Sequence, residues 1–336
     1  MSAVRMLVTG GAGFIGANFV RSTLQHRPEY EIAVIDALID PHFTRNLDDV
    51  KDSITFRQGD VCDTAFVSAL VEELGIEVIV HFAAESHNDN AYLFPSRFAH
   101  TNVMGTVSLL EVVRSTGVRL HHVSTDEVYG QLALDDTETF TPDTLYRPRN
   151  YYSSSKAGAD HFVRAAWTQF QLPVTISHCS NNYGPYQHVE KFIPRTITEV
   201  LAGGRPRLHG SGRHVREWIH VDDHCTAIHA ILDHGRLGET YVVGSGDERD
   251  NRSIVELILE LMGKPSDWVD YVPDRPSNDL RYASDASKLC TECEWMPLRT
   301  EFRKEIVGLI DWYRHNESWW WEMKAAVERR YGELGR

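Results

Sequence analysis

The sequence predicts an α/β protein: a doubly wound parallel sheet with helices on both faces, then a smaller, partly interleaved C-terminal domain. Three observations carry that expectation. Short apolar runs alternate with longer amphipathic ones through the first half of the chain, the pattern of buried parallel strands joined by crossover helices. A glycine-rich turn separates the first apolar run from the first amphipathic stretch. From about residue 185 the alternation loosens and turn residues multiply, at Gly184-Pro185, Gly203-Gly204, Gly210-Ser211-Gly212 and Gly244-Ser245-Gly246.

In order along the chain, residues 6–8, 32–35, 54–56, 78–80, 120–123 and 174–176 read as buried strands. Helical spacing lies between them, as in Phe14-Ile15, Phe19-Val20 and Leu24, and again in Val103, Val107, Leu110 and Val113. The expected division is 1–180 for the sheet domain and 181–336 for the second, with residues 213–245 returning to the first. Ser253-Ile-Val-Glu256 predicts a helix start by a capping box, with a stop at Gly263.

A length of 336 residues suits two domains. No apolar run reaches the roughly 18–20 residues of a membrane helix, and the N-terminal run shows no secretory pattern. Five scattered cysteines imply no disulfide framework and point to a reducing cytoplasm. A net charge of −14 argues against nucleic acid. It leaves room for a small anionic ligand held by a few arginines.

Gly10, Gly13 and Gly16 lie at the first strand-to-helix turn, with the spacing that lets a backbone approach a pyrophosphate and pack helix against strand. The helix N-terminus behind them offers N–H groups to phosphate. Asp36 ends the second strand 20 residues after Gly16, where a carboxylate accepts from ribose hydroxyls and repels a 2′-phosphate. The fold implied is of the Rossmann type and the cofactor NAD. Asp60, after the third strand, fits an adenine contact or a simple helix cap.

Tyr152 and Lys156 are spaced i, i+4 on one helix face, so the ammonium is expected beside the phenol, lowering its pKa toward that of a usable base. Tyr151 would point away around the helix. Thr125-Asp126-Glu127 follows the strand at 120–123. Paired acids suit a helix N-terminus, but a proton donor beside a proton acceptor is also what elimination of water requires.

Tyr-x-x-x-Lys after a nucleotide-binding turn resembles the extended short-chain dehydrogenase/reductases. Thr125-Asp126-Glu127, with Ala83-Ala-Glu-Ser-His87 and Ser180-Asn-Asn-Tyr-Gly-Pro-Tyr186, narrows the likeness to the dTDP-glucose 4,6-dehydratase family, and the likeness runs over nearly the whole chain. The resemblance implies that Tyr152, helped by Lys156, takes the sugar O4 proton while Thr125 bonds the O4 region. Glu127 removes the C5 hydrogen, and protonated Asp126 releases the C6 hydroxyl as water. It further implies cofactor contacts from Phe14, Ile15, Val61, Ala83, Ala84, Thr101 and Asn182. Substrate contacts are implied for Ser86, Thr125, Asn181, Lys191, Phe192, Arg207, Leu208, His209, Arg216, Asn251, Asp274, Arg275 and Asn278.

Two positions depart from the family pattern. Ser277-Asn278 replaces the usual Gly-His and leaves thymine against uracil open; Asn150-Tyr151 replaces Ser-Pro before Tyr152. A UDP-glucose 4,6-dehydratase is the alternative, and a 4-epimerase or decarboxylase is disfavoured by Asp126 and Glu127. No metal is expected: Cys290 and Cys293 form a lone pair, and Trp319-Trp-Trp321 reads as packing for a terminal helix. The resemblance also implies a homodimer through the helices near 101–115 and 156–167, and a place in deoxysugar synthesis such as that of dTDP-rhamnose.

Overall fold

Among the described residues there are twelve strands: β1 (Val4–Thr9), β2 (Tyr30–Asp36), β3 (Thr55–Gln58), β4 (Val78–His81), β5 (Arg119–Thr125), β6 (Val174–Cys179), β7 (Asn181–Tyr183), β8 (Arg207–His209), β9 (Val215–His220), β10 (Thr240–Val243), β11 (Glu248–Asp250) and β12 (Asp270–Val272). The computed structural model describes residues 4–274 and 278–333. Seven of the strands form one sheet in the order β10-β6-β5-β4-β1-β2-β3. Every pairing in it is parallel. The strand order reverses between β1 and β4, and in such sheets the crevice outside the strand C-termini at that point is where ligands bind.

The sheet is buried on both faces, as its near-continuous apolar strands require. On one face Leu7, Ile35, Ile79 and Leu120 pack with helices Thr64–Leu74, Gly105–Thr116 and Tyr151–Phe170. On the other, Met6, Val8 and Val34 meet helix Phe14–His26 and the later helix Val221–His234. That later helix is stapled to the first by a Phe19–His229 ring stack at 4.7 Å and a Thr23–His229 hydrogen bond of 3.1 Å. Together with β10, it is the stretch of the later chain that joins the large sheet.

The remaining strands form two small sheets, β11-β9-β7 and β12-β8. Helices Phe192–Leu201, Asn251–Leu261, Phe302–His315 and Glu317–Glu333 share a core around Tyr183, Trp218, Phe302 and Trp320. In the tryptophan run, Trp320 is buried and donates to Tyr313 O, Trp319 donates to Asn46 Oδ1, and Trp321 is exposed. The helix predicted to start at Ser253 starts earlier. Asp250 is its cap, accepting from Ser253 N at 2.9 Å, while the Ser253 hydroxyl donates back to Asp250 O. An aspartate three residues upstream outcompeted the serine as acceptor.

Candidate active site

At the end of β1 the chain turns through Gly10, at φ +67°, into helix Phe14–His26. A Cβ on Gly10 would lie 2.5 Å from Ala83 N, and one on Gly16 would lie 2.4 Å from Gly10 O. Both positions therefore demand glycine. Gly13 caps the helix with no side-chain hydrogen bond, which leaves the first-turn N–H groups for an anion. Asp36 closes β2 and accepts from Ala12 N at 3.0 Å and Leu38 N at 2.9 Å, while burial raises its carboxyl.

These groups line a cleft of about 690 Å³ at the point of strand reversal. Phe14, Ile15, Asp60, Val61, Ala83, Ala84, Thr101, Lys156, Tyr152 and Asn182 line it as well. Asp60 is not a helix cap: it accepts from Cys62 N, and Asp63 caps helix Thr64–Leu74. A glycine cradle that a Cβ would fill, an uncapped helix start and a carboxylate at the end of β2 together fit a dinucleotide lacking a 2′-phosphate.

Thr125 ends β5 and caps a single 3₁₀ turn, Asp126–Tyr129. The turn drives Asp126 inward, to 1% exposure, with Thr125 Oγ1 at 3.4 Å and Ser284 Oγ at 3.5 Å from its oxygens. Burial first, then the negative charges of Glu127 and Glu217, push its carboxyl well above the usual range. Burial also raises Glu127, but an Asn150 hydrogen bond and the cations Arg216 and Lys191 pull the other way. Both carboxyls are thus raised, Asp126 the further.

Tyr152 lines the cleft from the first turn of helix Tyr151–Phe170, and Tyr151 is 54% exposed. Lys156 is buried and donates to Val123 O at 2.8 Å. The phenol differs from expectation. Burial and the charge of Glu127 push it well above its ordinary value, opposed by a Thr125 hydrogen bond. The ammonium is anchored on a strand carbonyl, and burial disfavours its own charge. Behind the pair, a π-helical turn (Ala99–Met104) carries Asn102, which bonds Glu85 N and Glu85 O, and donates to Ser155 Oγ at 2.8 Å. One buried amide thus ties the loop after β4 to the helix of Tyr152. Such π turns recur at functional sites.

A second cavity, about 260 Å³, is lined by Ser86, Asn181, Lys191, Phe192, Arg207, Leu208, His209, Arg216, Asn251 and Asn278. Glu127, Ser86, Asn181, Asn182 and Lys191 line both spaces, so the two meet at Glu127. Lys191 donates to Ser86 O at 2.8 Å. Arg216 lies over the Tyr282 ring at 4.3 Å and donates to Asn278 Oδ1 at 3.2 Å. Asp274 lines neither cavity; it sits 3.2 Å from His214 and accepts from Asn278. Arg275 and Ser277 lie outside the described residues.

Four residues here had no site role in the sequence reading: Asn150 and Glu217 beside the carboxyl pair, and Asp279 and Tyr282 in the cavity wall. Glu217 is buried on β9, accepts from Gly246 N at 2.9 Å, and has a carboxyl pushed up to about 7 by burial. Its signal was a charge set among the apolar residues of a strand.

Two adjacent carboxyls beside Tyr152 and Lys156, opening onto a dinucleotide cleft, mark an extended short-chain dehydrogenase/reductase with the groups an elimination needs. A sequence profile described as GDP-mannose 4,6 dehydratase matches residues 7–306. The dTDP-glucose 4,6-dehydratase of Mycobacterium tuberculosis (strain ATCC 25618 / H37Rv) is 54% identical over 333 residues, 99% of this chain and 100% of that protein. Among solved structures, the dTDP-glucose 4,6-dehydratase of Bacillus anthracis in complex with NAD matches with a TM-score of 0.89 at 42% identity, over 96% of this chain and 100% of that one. That of Streptomyces venezuelae, also with NAD bound, reaches a TM-score of 0.91 at 41% identity, over 95% and 100%. The chain belongs to the dTDP-glucose 4,6-dehydratase family.

Proposed function

We propose that the protein converts dTDP-glucose to dTDP-4-keto-6-deoxyglucose and water, with NAD as a tightly held catalytic group. The observation that carries this reading is the pairing of buried Asp126 with Glu127, the latter at the junction of the two cavities, beside Tyr152 and Lys156 in the dinucleotide cleft. Bound NAD supplies the acceptor for the C4 hydride and its donor at C6, and it emerges unchanged from each turnover. Tyr152 takes the O4 proton, with Thr125 bonding the same region and Lys156 fixed behind it. Glu127 takes the C5 proton, made acidic by the 4-ketone. Asp126 gives its proton to the departing C6 hydroxyl, which leaves as water, and C5 is finally reprotonated. Lys191 and Arg216 supply positive charge for the diphosphate, arginine as a fork.

The role of each site residue, and the division into a cofactor domain and a substrate domain, belong to the same proposal. So does a homodimer: Met104 and Phe162, on the neighbouring segments Ala99–Met104 and Tyr151–Phe170, are both about half exposed, and a two-fold interface lets one apolar patch cover its own copy. Among the described residues no helix is long and apolar enough to cross a membrane. We place the enzyme in the cytoplasm, its product feeding deoxysugar synthesis such as that of dTDP-rhamnose. Incubation with dTDP-glucose and with UDP-glucose, followed by mass spectrometry, tests the reading. Loss of water from the thymidine sugar is expected, and loss from neither would overturn it.

A further inference from the structure

The side chain of Asn150 works at both ends. Its Oδ1 accepts from Ser153 N at 2.7 Å, capping the helix that carries Tyr152 and Lys156. Its Nδ2 donates to Glu127 Oε2 at 3.2 Å. The amide cannot turn over, because only its oxygen can accept the Ser153 N–H, so the NH₂ group must face the carboxylate. The Ser153 hydroxyl completes the box on the Asn150 backbone, so the residue is held from both sides. A serine could cap the same helix, but its single short hydroxyl could not also reach across to Glu127.

We propose that Asn150 is a positioning residue for the C5 base: it fixes the rotamer of Glu127 against the start of the catalytic helix and donates a hydrogen bond to its carboxylate. The inference rests on the assignment of Glu127 as base. The groups facing Glu127 are Asp126, Asp279, Tyr152 and Tyr282, which disfavour its charge or have theirs disfavoured by it, and Arg216 and Lys191, which favour it. Asn150 is the neutral hydrogen-bond donor in this set, and it opposes the burial that raises the carboxyl.

The test uses the holoenzyme, dTDP-glucose and the pH–rate profile of water loss. Asn150→Ser and Asn150→Asp both retain a helix cap, so helical content by circular dichroism should match wild type. A base must be deprotonated, so loss of the donor raises the pKa and moves the acidic limb to higher pH. The shift expected for Asn150→Ser is about one pH unit, the worth of one hydrogen bond to a charge. Asn150→Asp places a like charge against Glu127 and should shift the limb further. If both variants keep the wild-type acidic limb, or lose rate equally at every pH, Asn150 only caps a helix and the proposal is wrong. If wild type itself releases no water from dTDP-glucose, the functional reading fails instead.

Discussion

The two cavities are built in different ways. The dinucleotide cleft is made largely of backbone: a turn at Gly10, an uncapped helix start, and a carboxylate fastened to two N–H groups. The smaller cavity is made of side chains brought from Ser86, Asn150, Lys191, Arg216, Asn251 and Asp279, on segments far apart in sequence. Backbone sites leave a local trace, because the glycines they need are neighbours in the chain. Side-chain sites leave none beyond the residue types, because the fold alone makes them converge.

This contrast explains what could be read in advance. The strand–helix alternation and the glycine spacing announced the large sheet, since a parallel strand buried on both faces must be apolar throughout. Gly10, Gly13, Gly16 and Asp36 were legible for the same reason. The direction of the Tyr152 shift was not. Helical spacing places Lys156 on the right face but says nothing of Val123 O, which holds the ammonium, or of Glu127, which opposes the phenolate. Nor could Ser284 be linked to Asp126, or Asn150 to Glu127, without the fold.

The comparison can be broken at either half. The largest expected effect is at the junction. Tyr152→Phe should keep the fold and the dinucleotide but lower turnover by about 10²–10⁴, the range for a positioned proton acceptor. A turnover near wild type would move the O4 base elsewhere.

Beneath the site, Asp160 is fully buried, 3.1 Å from both His122 and His178, and accepts from Ser124 Oγ at 3.0 Å. Those partners hold its carboxyl far below the usual range against the cost of burial. Asp160→Asn should destabilise the protein by about 1.5–3 kcal/mol at neutral pH, because its partners lose a charged hydrogen-bond acceptor. A depressed carboxyl stabilises above its unfolded pKa. The gap between wild type and variant should therefore shrink as pH falls below about 4. Urea melts at neutral and acid pH check both the size and the sign; a pH-independent gap would assign the loss to packing.

On the backbone side, Gly16→Ala pushes a methyl group to 2.4 Å from Gly10 O. About 1–3 kcal/mol of stability should be lost as the helix start moves off the turn. NAD affinity should fall with it while the smaller cavity still binds dTDP, as titration calorimetry would show. Equal weakening of both ligands would mean that the two halves are not separately built.

The most direct test of the acid–base division is Glu127→Gln. The change leaves Tyr152 in place and removes the charge that opposes its phenolate, so C4 oxidation should proceed when dTDP-glucose is added, and the absorbance of enzyme-bound NADH should rise and persist. Mass spectrometry of the same sample should show the sugar with its water retained. Loss of water at the wild-type rate, with no NADH accumulating, would contradict the assignment of Glu127 as the base that opens the elimination.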